Sequence, residues 1–136
     1  MYRYLFPTFV LFSAQALAAE PGYIGIWASD PKGCADPSDV FQVTNKAMRG
    51  KEWGCNIKNL LPEGDGWLAS LACASEGVEY NLTSHWQIAP NGHFQETVKA
   101  CRPSKRGDTQ ACEGQAGHSA EYVRCKAGTK SPWFRN

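Results

Sequence analysis

Past its first twenty residues the 136-residue chain has no apolar run approaching the roughly 20 residues that a membrane-spanning helix needs. No membrane span is therefore expected in the mature protein. The chain also lacks C-x-x-C and H-x-x-x-H spacings, so nothing points to a zinc site or another metal. It lacks G-x-S-x-G, H-E-x-x-H and any phosphate loop, and its carboxylates are scattered. No enzyme activity and no cofactor are expected. Charge of one sign is missing too. The net charge is +1, and Arg3 in the leading segment accounts for it. Without a basic stripe to track phosphates, nucleic acid is not an expected partner. Helical periodicity is also absent. Residues 46–52 show no apolar repeat and contain Gly50, while residues 102–117 are polar and glycine-rich.

What is present begins with a leader. Arg3 gives a basic start, residues 5–14 are apolar, and Ala16-Leu17-Ala18 supplies the small-x-small pattern of a cleavage site. Residues 1–19 read as a signal peptide, with cleavage expected after Ala18. The mature protein is then periplasmic or secreted. In such a compartment an even number of cysteines implies disulfides. The six are Cys34, Cys55, Cys73, Cys101, Cys112 and Cys125.

The rest of the pattern is β. Tyr80, Leu82, Trp86 and Ile88 alternate with polar residues, and so do Phe94, Val98 and Ala100. Pro90-Asn91-Gly92 between them is a hairpin turn. Residues 52–61 and 67–75 flank Pro62-Glu63-Gly64-Asp65-Gly66 and form a second hairpin. Symmetry about Gly64 sets Cys55 opposite Cys73, which predicts that disulfide. Cys101–Cys112 would clip the polar loop, and Cys34–Cys125 would tie the start of the domain to its last strand. Fifteen pairings remain possible on sequence alone. Further short strands are expected at residues 23–29, 40–45 and 118–126. Seven or so strands joined by hairpins predict an all-β antiparallel meander closing into a small barrel, with a sandwich as the alternative. Residues 20–128 form one domain and residues 129–136 a flexible tail. Trp53 is expected in the core, Trp67 at a loop rim, and Trp133 exposed.

Gly25-Ile26-Trp27 opens the first strand and resembles the G-x-W start of the calycin superfamily, which includes lipocalins, avidins and small bacterial protease inhibitors. The resemblance implies a barrel whose Trp27 closes the floor against a basic residue of the last strand, here Arg124. The chain is shorter than a lipocalin and richer in cysteine, which argues against a large ligand cup. Gly33-Cys34-Ala35-Asp36-Pro37, Gly54-Cys55-Asn56-Ile57 and Tyr122-Val123-Arg124-Cys125 also resemble a group of uncharacterised small exported bacterial proteins. That likeness implies domain limits and structural cysteines, and no activity.

Three functional readings follow. The first is a non-catalytic exported binding protein for a protein partner, and the fold analogy extends it to an inhibitor of a hydrolase. Its candidate surface is the clipped loop, where Arg106-Gly107-Asp108 forms a constrained polar turn that resembles an adhesion triplet. The second is a lipocalin-type carrier of an apolar small molecule. The third is an envelope structural protein. Bulky inward residues favour the first over the second.

Overall fold

The structure is a computed structural model that describes residues 21–106 and 108–133. The expected signal peptide therefore lies outside the described residues. Eight strands follow in order: β1 Gly25–Ala28, β2 Val40–Val43, β3 Ala47–Gly50, β4 Trp53–Glu63, β5 Gly66–Ser75, β6 Val78–Ile88, β7 Phe94–Pro103 and β8 Ser119–Arg124. Each pairs antiparallel with the next, and β8 returns to β1 to close an all-antiparallel barrel. The predicted meander and its closure are present.

β3 is the strand that sequence reading left unassigned. It has four residues, of which Ala47, Met48 and Gly50 are buried. So short and evenly buried a segment shows no alternation. Two 3-10 turns, Pro31–Ala35 and Thr109–Cys112, also lie where only loop was expected.

The hairpin geometry explains one disulfide in detail. The β4–β5 turn closes on the pair Glu63↔Gly66, a register that would set Cys55 opposite Ala74. A bulge between Ile57 and Asn59 absorbs one residue and brings Cys55 opposite Cys73. The symmetric alignment is correct at the cysteines because of that bulge. A second irregularity, between Thr83 and Ser84 on β6, leaves Lys99 as the extra residue on β7. It reverses the inward parity, so Ala100 is exposed and Cys101 packs on the core. The expected alternation through Ala100 is corrected there.

The interior is filled by rings. Trp27, Trp86 and Phe94 have no exposed surface. Tyr23 meets Trp67 at 5.0 Å and Trp86 at 5.5 Å between centroids. Phe94 touches Trp27, Trp86, Phe41 and Tyr122. Phe41 continues the chain to Trp53 at 5.7 Å. Such edge and offset contacts add about 0.5–1.5 kcal/mol each beyond burial. This spine runs from the turns 64–65 and 89–93 at one end to the turns 51–52 and 76–77 at the other.

Close packing extends to the backbone. A Cβ on Gly66 would sit 2.0 Å from the Trp86 carbonyl oxygen. Gly66→Ala is expected to destabilise the barrel by about 1–3 kcal/mol, as overpacking does, with thermal unfolding as the check. A midpoint equal to wild type would contradict the close approach.

β4 outruns β3, whose pairing ends at Ala47↔Asn56 with a last bond from Ile57 N to Lys46 O. Residues 58–63 therefore leave an edge on that side. Lys58 and Pro62 lie on it, the residue types that discourage strand addition.

Candidate functional site

Trp27 and Arg124 pack together beside the chain that leads into β1. The Trp27 indole Nε1 donates to the Tyr23 carbonyl at 3.0 Å. The Arg124 guanidinium lies 4.2 Å above the Trp27 ring. It also donates to the carbonyls of Ile24, at 2.9 Å, and Gly22. The motif's glycine has a physical reason. A Cβ on Gly25 would come within 2.5 Å of Arg124 Nη1 and displace it from the ring. Strand pairing fixes the partners, since Trp27 and Arg124 are opposite each other in the β1–β8 ladder.

Outside the barrel, the first 3-10 turn is capped by Asp30, whose side chain accepts from Gly33 N at 2.9 Å. The turn holds Cys34 over β8, where it bonds Cys125. Ala28, Val40 and Cys125 form a small second core beneath it. Trp133, expected to be exposed, is half-buried and donates to the Val40 carbonyl at 3.0 Å.

At the other end lies the long connection from β7 to β8. Cys101–Cys112 closes it as predicted. Backbone bonds stitch the rest: Ser104 N to Glu79 O, Asp108 N to Lys105 O, Gln115 N to Cys112 O, His118 N to Gln115 O and Gly117 N to Val98 O. The loop is thus both shaped and outward-facing. Arg102, Lys105, Arg106, Thr109 and Gln110 are exposed, while Asp108 is half-buried at the start of the second 3-10 turn. Gly107, the centre of the Arg106-Gly107-Asp108 triplet, lies outside the described residues.

No protein-family model, curated protein or solved structure matches the chain. The calycin-like shape accordingly rests on the closed eight-strand meander itself. Cys34–Cys125, Cys55–Cys73 and Cys101–Cys112 are the kind of cross-link kept outside the reducing cytoplasm, which makes this a non-cytoplasmic protein. No helix among the described residues is long and apolar enough to cross a membrane.

The histidines are dispersed. His85 Nε2 is 3.4 Å from the Glu63 carbonyl, His93 Nδ1 is 2.7 Å from Glu121 Oε1, and His118 is exposed in the β7–β8 connection. No group of three metal-ligating side chains occurs among the described residues.

One carboxylate departs from the expected scatter. Glu96 is half-buried, with its carboxylate turned inward onto the fully buried Trp86. Trp86 Nε1 donates to Glu96 Oε2 at 2.8 Å. Burial raises the Glu96 carboxyl above the ordinary carboxylate range, and the Trp86 donor offsets only part of that. The Ser84 hydroxyl lies close by and favours the charged form, but it stands outside hydrogen-bond geometry. Burial and the Glu96 charge together push the Tyr122 hydroxyl up to about 12 and raise that of Tyr80. Parity could have found this residue, because Glu96 lies midway between the inward Phe94 and Val98.

The sign of the pH effect follows. Below the ordinary carboxylate range Glu96 is protonated folded and unfolded, and it costs nothing. As pH rises, the unfolded chain ionises first, and stability falls until the folded carboxyl also ionises. Glu96→Gln keeps an acceptor for Trp86 and is expected to remove that decline. Urea unfolding should show the variant equal to wild type near pH 4 and more stable at pH 7. A variant less stable at pH 7 would contradict the uncompensated carboxylate.

Proposed function

We propose that the protein is a periplasmic or secreted, non-catalytic binding protein that engages a protein partner through the loop of residues 101–118. One observation carries this reading: the loop is exposed yet closed by Cys101–Cys112 and stitched by backbone bonds. A segment that is ordered before contact gives up little conformational entropy on binding. A short, clipped protrusion of this kind fits a cleft, and the catalytic cleft of a hydrolase is the partner class put forward. The ring-filled interior disfavours the carrier reading, because large side chains occupy the space a ligand cup would need.

The test is capture from the native exported proteome with wild type and with a Lys105→Glu/Arg106→Glu variant. A protein retained by wild type at least tenfold over the variant supports the loop as the contact. Equal retention by both would overturn it. Purified partner would then be assayed for hydrolase inhibition.

A further inference from the structure

The second apolar cluster lies outside the barrel, where β1, β2 and β8 turn their outer faces to the first 3-10 turn. Ala28, Val40 and Cys125 are its buried members, with Ile26, Cys34 and Val123 packed against them. Its two sides are covered unequally. On the β2 side the Trp133 indole bonds the Val40 carbonyl, and Val40 is buried. On the β8 side Cys34 and Val123 keep part of their surface in solvent. A groove of about 380 Å³ lies there between the 3-10 turn and β8, lined by Pro31, Cys34, Ala35, Val123, Lys126 and Thr129. That volume falls within the roughly 300–1,000 Å³ of small-molecule sites.

The walls are set before anything binds. Cys34–Cys125 joins them covalently, and Asp30 caps the turn on one side. On the other side the Thr129 amide and hydroxyl both donate to the Lys126 carbonyl. A preformed groove gives up little conformational entropy on binding. Molecules shut out of the ring-filled interior can reach this surface.

Charge selects among them. No carboxylate lines the groove, and the three nearest along the chain are engaged elsewhere. Asp30 accepts from Gly33 N, Asp36 accepts from Ser38 N and Oγ, and Glu121 meets His93. Arg124 gives its guanidinium to Trp27 and to the carbonyls of Ile24 and Gly22. Lys126, on the wall, is exposed and has no carboxylate partner among the described residues. Exposed Lys32 and Lys130 adjoin the lining residues Pro31 and Thr129 in the chain. An apolar floor with ammonium groups around it is complementary to a molecule with an apolar body and one anionic head.

We propose that this groove binds a small apolar monocarboxylate, its body against Val123, Ala35 and the Cys34–Cys125 bridge and its carboxylate beside Lys126. The groove shares no residue with the loop of residues 101–118, so the proposal stands whether or not that loop contacts a protein.

Decanoate is the probe, and decanol its neutral counterpart. Calorimetric titration of the protein at neutral pH is expected to show one saturable decanoate site and weaker binding of the alcohol. Ala35→Glu, at an exposed position, brings bulk and a carboxylate to the wall and should weaken decanoate about tenfold or more. Lys126→Glu should weaken decanoate about threefold or more and leave decanol within about twofold. Circular dichroism checks that both variants fold. The Lys105→Glu/Arg106→Glu variant should bind decanoate as wild type does. Absence of saturable decanoate binding would overturn the proposal. So would unchanged affinity in Ala35→Glu, equal losses of decanoate and decanol in Lys126→Glu, or a loss in the loop variant. Binding to vesicles of anionic lipid without binding of free decanoate would also overturn it.

Discussion

Trp27→Ala is expected to lower the free energy of unfolding by about 3–5 kcal/mol, the usual range for removing a buried tryptophan. The ring has no exposed surface, touches Phe94 at 5.3 Å and carries the Arg124 guanidinium on its outer face. Truncation removes all of these at once. It also leaves the Tyr23 carbonyl without its indole donor, and Arg124 without the surface that orients it toward Ile24 and Gly22. A domain of this size has about 5–15 kcal/mol in total, so the variant should sit near the threshold of folding. Arg124→Met keeps the hydrophobic stem and should cost less, about 1–2 kcal/mol from the ring contact and the lost donors. Urea unfolding of both measures the order. An Arg124 variant weaker than the Trp27 variant would mean that the guanidinium, and not the ring, closes the floor.

The second large effect belongs to Cys34–Cys125. Its partners are 91 residues apart, and those of Cys101–Cys112 only 11. In the chain-entropy model the long closure is worth about 4.6 kcal/mol and the short one about 2.8. Replacing Cys34 and Cys125 together by Ala should therefore destabilise the barrel more than the same change at Cys101 and Cys112. The folded contacts add to the difference. Cys125 is buried in the second core under the first 3-10 turn, so its loss also loosens Ala28 and Val40. The short bridge acts on a surface loop, and its removal should spare the barrel while loosening the loop. Paired denaturation curves decide the order. Equal losses would point to residual structure in the unfolded chain that already holds residues 34 and 125 together.

The legible parts of the fold were those with local chemistry. Asn91-Gly92 marks a turn, and Gly92 does take a left-handed φ of 84°. Alternation through Tyr80, Leu82, Trp86 and Ile88 reads directly as one buried face. Gly25, Trp27 and Arg124 were legible only through a resemblance, and the structure shows the contact that makes the three residues depend on one another. β3 was not legible, because four buried residues carry no period. The two bulges were not legible either. A bulge is a property of a strand pair, and its effects on Cys73 and Cys101 appear only when both strands are in place. Glu96 was missed for a different reason. A glutamate in an alternating strand is read as a solvent residue by composition, while its parity with Phe94 and Val98 points inward. The candidate loop was legible as polar, clipped chain. Its internal stitching, from Ser104 through His118, comes from backbone bonds that no side-chain pattern announces.

The proposed binding through the loop of residues 101–118 can be tested by position. A photo-crosslinking residue placed at Thr109 lies on the exposed loop, and one at Leu61 lies at the opposite end, on the large apolar side chain with 51% exposure. Irradiation in the native exported proteome is expected to give a discrete adduct of higher mass from position 109 and none from position 61. An adduct from position 61 alone, or from neither position, would contradict binding through the loop.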